Sequence, residues 1–355
     1  MKTHRIAVVP GDGVGPEVVA EGLRVLRAAA GRFGFAVELT EFPHGTEHWL
    51  ATGEVLPDEV LERIAAHDAI LLGAVGDPRA PVGELERGII GRLRWDLDLY
   101  VNLRPVELMD ERFCPLKGKG PDDVDFVVVR ENTEDAYVTS PEFHDRNSPQ
   151  EVAVQPMRYT RRGTERIVRY AFELARTRPG KRLTLVDKAN AIRAQDLWTR
   201  VFAEVGEEYP DVERDHLYVD AACVRMVEAP ESFDTVVTTN LFGDVLTDLG
   251  AALQGGMGMA ASANLHPGRL GLFESVHGSF PQAAGKDLAN PIATILAVAM
   301  MLDWLGEGAA GAAVREAVRT ALTAGPIRSL ELGAHGTREI GEAVLDALAG
   351  QVTAG

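Results

Sequence analysis

The chain alternates short β-branched runs with stretches of helical period. Ile6–Val9 predicts a strand, a glycine-rich turn follows, and Pro16–Ala30 places Val18, Leu23, Val25 and Leu26 at helical spacing. The unit then repeats, with Val37–Thr40 and Ala69–Leu72 reading as strands and Asp58–Ala66 as a helix. Val124–Val129 is apolar almost throughout, the pattern of a strand in a sheet covered on both faces. After Thr164 a helix runs through Ala175, and Leu183–Val186 and Thr235–Thr238 read as strands. Helices are predicted near Ala194–Val205, from about Asp244, and over most of the chain beyond Pro291. Repeated strand–helix units predict an α/β fold. No repeat with a period of about 20 to 50 residues, low-complexity tract or long linker interrupts them. The polar segment Thr139–Pro156 carries Pro141, Pro149 and Pro156, and reads either as a loop or as an arm for a partner chain.

Composition narrows the function. A length of 355 residues allows two domains, and 36 basic against 53 acidic residues give a formal charge of −17, which disfavours a nucleic acid or an anionic membrane surface as partner. The longest apolar stretch, Ile292–Leu302, is about half of the roughly 20 residues a membrane span needs, so it reads as a core helix. Two cysteines, Cys114 and Cys223, cannot build a disulfide framework or a cysteine-rich metal site, and no signal-peptide pattern opens the chain. The expectation is a cytoplasmic protein.

Several segments carry candidate chemistry. Pro10-Gly11-Asp12-Gly13-Val14-Gly15-Pro16-Glu17 lies between a strand and a helix, as a structural turn or a ligand loop, with a spacing that fits neither a dinucleotide fingerprint nor a Walker sequence. In Asn240-Leu241-Phe242-Gly243-Asp244-Val245-Leu246-Thr247-Asp248, Asp244 and Asp248 stand at i and i+4 on one helix face with no basic residue between them. A hard divalent cation with oxygen ligands, Mg²⁺ or Mn²⁺, would relieve that repulsion; the alternative is a solvated face. Asp220 ends a strand-like run, as a third carboxylate ligand or a helix cap. Arg94, Arg104 and Arg130 stand at expected strand ends, where guanidiniums clamp dicarboxylates or form structural ion pairs. Lys188 also follows a strand, as a proton carrier or a surface residue.

Taken together, the glycine turn, Arg94 and Arg104, Arg130-Glu131-Asn132-Thr133-Glu134 with Tyr137, Asp187-Lys188-Ala189-Asn190, Asn240-Leu241-Phe242-Gly243-Asp244, and His277-Gly278-Ser279 through Asn290-Pro291 occur in this order over nearly the whole chain. The set closely resembles the isocitrate/isopropylmalate dehydrogenase family of decarboxylating β-hydroxyacid dehydrogenases. The resemblance implies a two-domain α/β fold that is not a Rossmann fold. Residues 1–101 with 255–355 would form the cofactor-binding domain, and 102–254 the substrate, metal and dimerisation domain. It also implies a homodimer with shared active sites. Arg94, Arg104 and Arg130 would hold the carboxylates of a small hydroxy-dicarboxylate. Asp244 and Asp248 of one subunit, with Asp220 of the other, would hold Mg²⁺ or Mn²⁺. Lys188 from the partner would accept the hydroxyl proton, and Tyr137 would protonate the product. With all these positions filled, a non-catalytic regulatory subunit is disfavoured.

Cofactor and substrate are less sharply drawn. His277, Gly278, Ser279, Gln282, Ala283 and Asn290 align with the family's cofactor segment, where NAD-dependent members place an Asp at the position of Gln282. Gln282 neither repels nor pairs with a 2′-phosphate, so NAD is expected, with NADP as the alternative. Gly88 and Ile90 stand where isocitrate dehydrogenases carry Ser and Asn, which argues against isocitrate. The alkyl pocket of isopropylmalate dehydrogenases maps to Ile90, Gly91 and Ala191, of which only Ile90 is bulky. The reading is therefore an apolar, enlarged pocket for a 3-substituted malate, open to a longer or aromatic substituent. Tartrate, D-malate or homoisocitrate remain as alternatives because Arg130–Glu134 and Ser262–Pro267 look closer to that branch. Arg87 and Arg92 either receive an anionic tail or belong to a solvated helix face.

Overall fold

Every strand expected from a β-branched run is present, and six further strands join them. In chain order they are β1 (Thr3–Val9), β2 (Ala36–Glu41), β3 (Ala69–Leu72), β4 (Val101–Glu107), β5 (Asp125–Glu131), β6 (Glu142–His144), β7 (Val152–Val154), β8 (Arg182–Asp187), β9 (Glu213–Tyr218), β10 (Thr235–Thr238), β11 (Ala261–His266) and β12 (Leu270–Ser275). The computed structural model describes residues 2–351. It divides into two units, Met1–Leu99 with Glu107–Pro121 and Ala251–Gly355, and Tyr100–Val106 with Asp122–Gly250.

In the first unit the strands run β2-β1-β3-β12-β11. The first four are parallel, and β11 pairs antiparallel with β12. Ala69–Leu72 is fully buried, the expected result for a short apolar strand with helices on both faces. The helix Ile292–Trp304 packs on β11 and β12 and buries nearly all its apolar side chains, which is why it shows no amphipathic stripe. Among the described residues no helix is long and apolar enough to cross a membrane.

The second unit is ordered β4-β5-β10-β8-β9, with β5, β10, β8 and β9 all parallel. The helix Arg161–Thr177 covers β5, β10 and β8, and its inner stripe of Ile167, Val168, Ala171, Phe172 and Ala175 is buried. Because the strands are parallel, their C-terminal ends lie along one edge, where loops are free to carry chemistry. Arg130 lies at the end of β5, and Lys188, Asp220 and the Asn240 helix follow the ends of β8, β9 and β10.

Three local expectations need correction. The helix expected from about Asp244 begins at Asn240, so Asp244 lies in its second turn. Arg104 lies inside β4 rather than at a strand end, in a strand whose apolar pattern is broken by Asn102, Arg104 and Pro105. Asp220 is not a cap, because the helix Val219–Glu228 has Tyr218 at its N-cap and no side-chain capping bond. The Thr139–Pro156 segment contains a two-stranded antiparallel ribbon, β6 with β7, whose residues are all exposed.

Candidate active site

Asp244 is the hub of the second unit. Arg130 donates from Nη1 to Asp244 Oδ1 at 2.5 Å, Arg104 from Nη1 to the same oxygen at 3.4 Å, and the Tyr137 hydroxyl to Oδ2 at 2.7 Å. Both arginines are held by further bonds. Arg104 donates to Asn102 Oδ1 at 2.7 Å and to Thr247 Oγ1 at 2.6 Å, and Arg130 donates from Nε and Nη2 to Asn240 Oδ1 at 3.0 and 2.8 Å. A Cβ on Gly243 would come within 2.4 Å of the Arg130 side chain, so the glycine of Asn240–Asp244 leaves the room that side chain occupies. The Asp135 carboxylate accepts from the Leu241 amide at 3.0 Å and anchors the first turn of the helix.

The site's charges fit a cation with its anion. Two guanidiniums balance Asp244 and Asp248, so a divalent cation and a dicarboxylate could enter together without changing the local net charge. Asp248 lies at the surface one turn beyond Asp244, and lost hydration followed by the Asp244 charge holds its carboxyl above the usual range. That is the environment a hard cation would relieve, and the donors are all oxygens. Among the described residues no three acidic, histidine or cysteine side chains of this chain form a metal-binding group. Burial, reinforced by Asp244, pushes the Tyr137 phenol up to about 12, so it is a protonated donor at neutral pH.

Lys188 and Asp220 form their own ion pair, and Lys188 is the first cause of the lowered Asp220 carboxyl. The lysine backbone is fixed by its amide donating to the buried Gln195 Oε1 at 2.6 Å, and its Nζ stands 5.7 Å from the Tyr218 ring. Beneath it Asp187, fully buried, pairs with His216 at 3.0 Å, and that bond raises the imidazole above its ordinary value. Ala191 is exposed in the turn after Lys188.

In the first unit, Arg94 donates to Glu274 Oε1 at 2.7 Å, while its buried Nε has no hydrogen-bond partner, as a donor reserved for an anion would. Arg92 is structural, bonded to Asp58, Asp96 and the Leu56 carbonyl. Ile90 is partly buried against the core cluster.

The glycine turn is closely packed against neighbouring backbone, and its Pro10, Gly11 and Asp12 also line a cavity of about 350 Å³. Gly13 has φ +58°, and a Cβ there would meet the Ser279 carbonyl oxygen at 1.9 Å. The Val14 amide donates to that same carbonyl at 2.8 Å, and Asp12 accepts from the Thr46 and Gly76 amides at 2.6 and 2.9 Å. The turn thus ties the ends of β1, β3 and β12 together.

Beside it opens a cavity of about 430 Å³ that includes Val14, His277, Gly278, Leu288, Asn290 and Glu331. Of the expected cofactor residues, His277, Gly278 and Asn290 line it, whereas Ser279 is buried and bonded to the Gly76 carbonyl, Ala283 is in the core and Gln282 is exposed. Burial pushes the His277 imidazole down, and its Nε2 has no partner. Sequence reasoning missed the Ser329–His335 wall, which carries no motif.

A profile described as isocitrate/isopropylmalate dehydrogenase matches residues 5–344. Among curated proteins, the chain is 51% identical over 353 residues to a 3-isopropylmalate dehydrogenase of Thermobifida fusca, covering 99% of each. Among solved structures, it is similar to an isocitrate dehydrogenase from Methylococcus capsulatus, at 38% identity and TM-score 0.88, covering 97% of this chain and 99% of that one. A β-decarboxylating dehydrogenase from Thermococcus kodakarensis matches at 34% identity and TM-score 0.79, covering 99% and 97%. With that likeness running through both units, the chain belongs to the isocitrate/isopropylmalate dehydrogenase family, oxidoreductases that act on a CH–OH group and decarboxylate the product.

Proposed function

We propose that this protein oxidises and decarboxylates 3-isopropylmalate, using NAD⁺ and Mg²⁺ or Mn²⁺, as a homodimer with shared sites. The observation that carries the reading is the Arg104–Arg130–Tyr137 cluster on Asp244, a cationic carboxylate grip with a protonated phenol beside it, in a chain half identical to a 3-isopropylmalate dehydrogenase. Arg94, Arg104 and Arg130 bind the substrate carboxylates. Asp244 and Asp248, with Asp220 of the partner subunit, would hold the metal, which would supply Lewis acidity for oxidation and decarboxylation. Lys188 takes the hydroxyl proton as hydride leaves the same carbon for the nicotinamide. Tyr137 then gives its proton to the carbon that has lost CO₂.

The dimer accounts for the exposed apolar surface of the second unit. Phe143, Val152 and Val154 on the ribbon, Val224 and Val227 on the Val219–Glu228 helix, and Val245 on the next are all exposed. An isolated two-stranded ribbon is marginal in water, so a second copy pairing with it supplies what the monomer lacks.

For the cofactor, the 430 Å³ cavity has apolar walls, an unpaired His277 Nε2 and Glu331, and neither lysine nor arginine among its lining residues. An adenosine with free ribose hydroxyls suits it; a 2′-phosphate would meet a carboxylate. Glu331→Arg is expected to raise kcat/KM for NADP⁺ relative to NAD⁺ by on the order of tenfold, since a guanidinium replaces a repelling charge. Initial rates with both dinucleotides test this, and an unchanged ratio would remove Glu331 from the discrimination.

The test of the reading as a whole is a panel of 3-isopropylmalate, isocitrate, homoisocitrate, D-malate and tartrate, compared by kcat/KM with NAD⁺. We expect 3-isopropylmalate to lead isocitrate by at least about a hundredfold, as expected when an apolar pocket faces a third carboxylate. D-Malate or tartrate in first place would refute the substrate.

A further inference from the structure

We infer that Trp95 stands in for the missing side chain of Gly91 and sets the width of the alkyl pocket. This rests on the 3-alkylmalate reading. Residues Glu86–Gly91 form a π-helical turn that continues into the helix Arg92–Trp95. One face of this segment, Leu85, Ile89 and Leu93, is fully buried in the core. The opposite face carries Ile90 and Arg94 in one row and Arg87, Gly91 and Trp95 in the next. Trp95 therefore flanks the row that bears the substrate arginine.

A Cβ placed on Gly91 would lie 2.7, 2.9 and 3.1 Å from Trp95 Cζ3, Cη2 and Cε3. The six-membered ring of the indole thus fills the volume into which any side chain at position 91 would project. The Arg87 guanidinium also stands 5.4 Å from the ring centroid, a cation–π contact that helps hold the indole.

On this inference the enlarged pocket expected from the sequence does not form. The methylenes lost at position 91 are replaced by an aromatic ring from position 95, one α-helical turn on. The pocket that results takes a short branched alkyl group beside Ile90 and excludes an aromatic substituent. The same geometry reverses the simplest engineering expectation: Gly91→Leu cannot improve the fit to isopropyl while Trp95 is present, because its Cβ has no space.

The experiment compares kcat/KM for 3-isopropylmalate and 3-benzylmalate with NAD⁺ in the wild type, Trp95→Ala, Trp95→Phe, Gly91→Leu and the Gly91→Leu/Trp95→Ala double variant. Melting temperature and circular dichroism are recorded for each. In Trp95→Ala the benzyl-to-isopropyl ratio is expected to rise by at least about tenfold, with Trp95→Phe intermediate, since even one methylene of pocket volume is worth about 10- to 200-fold in discrimination. Gly91→Leu alone is expected to lose both thermal stability and activity, and the double variant to regain stability and an isopropyl preference closer to wild type. An unchanged ratio in a folded Trp95→Ala or Trp95→Phe, in an enzyme that does turn over 3-isopropylmalate, would overturn the inference alone. A wild type that uses only isocitrate or malate would overturn the substrate reading and this inference with it.

Discussion

Asp244→Asn is expected to cut kcat by roughly a hundred- to a thousandfold, because the carboxylate proposed to hold the cation also bonds Arg104, Arg130 and Tyr137. The neutral amide keeps the shape but loses a unit of negative charge between two guanidiniums, which weakens Mg²⁺ or Mn²⁺ binding in both chemical steps. Two readouts separate metal loss from general damage. Turnover by the wild type should vanish in EDTA and return with Mg²⁺. In the presence of substrate, the wild type should also gain melting temperature on adding Mg²⁺, as any ligand selective for the folded state requires, and the variant should gain little at the same concentration. Full activity of Asp244→Asn in EDTA would end the assignment of Asp244 and Asp248 to a metal.

Lys188→Met is expected to lower oxidation by about a hundred- to ten-thousandfold, the usual range for removing a general base. Tyr137→Phe should act later. It keeps the ring against Arg130 but removes the proton whose tight hold, near pH 12, marks the phenol as a donor. NADH formation should then outrun formation of the protonated keto-acid product in the first turnover. Mixing the two variants tests whether the site is shared. If Lys188 serves the partner's Tyr137, each mixed dimer holds one intact site and one doubly defective site. A statistical mixture, in which about half the dimers are mixed, should recover about a quarter of wild-type activity. If Lys188 acts within its own subunit, every site keeps one defect and nothing is regained. Heterodimer formation is verified by mass spectrometry of differently tagged chains.

The relation of Lys188 to Asp220 shows why the shared site is worth testing. Each was identified separately from its position after a strand, and the fold pairs them with each other at the ends of β8 and β9. Asp244 meanwhile draws its arginines and tyrosine from β4, the end of β5 and the turn that follows β5. The two groups of candidate residues thus each have their own partners within the chain, the arrangement the proposed shared site would use.

What the amino-acid order determined by itself was local. Period-2 and apolar runs located six strands, because a buried parallel strand has to be apolar on both faces. Short motifs at strand ends located the chemistry, because a parallel sheet gathers its functional loops along one edge. Strands whose apolar pattern is broken escaped notice. β4 is interrupted by Asn102, Arg104 and Pro105, yet it carries the arginine that reaches Asp244 and Thr247. Only the tertiary structure decided matters of volume and distant contact. The fold alone shows why the turn needs its glycine at position 13, since the Ser279 carbonyl stands where a Gly13 side chain would lie. The Ser329–His335 wall reaches the cavity beside His277 from a segment with no motif, since lining a cavity requires proximity rather than a pattern. Gly91 read as empty space because a sequence states which atoms a residue lacks at its own position, while the space is filled by whichever neighbour the packing brings there, here the indole of Trp95.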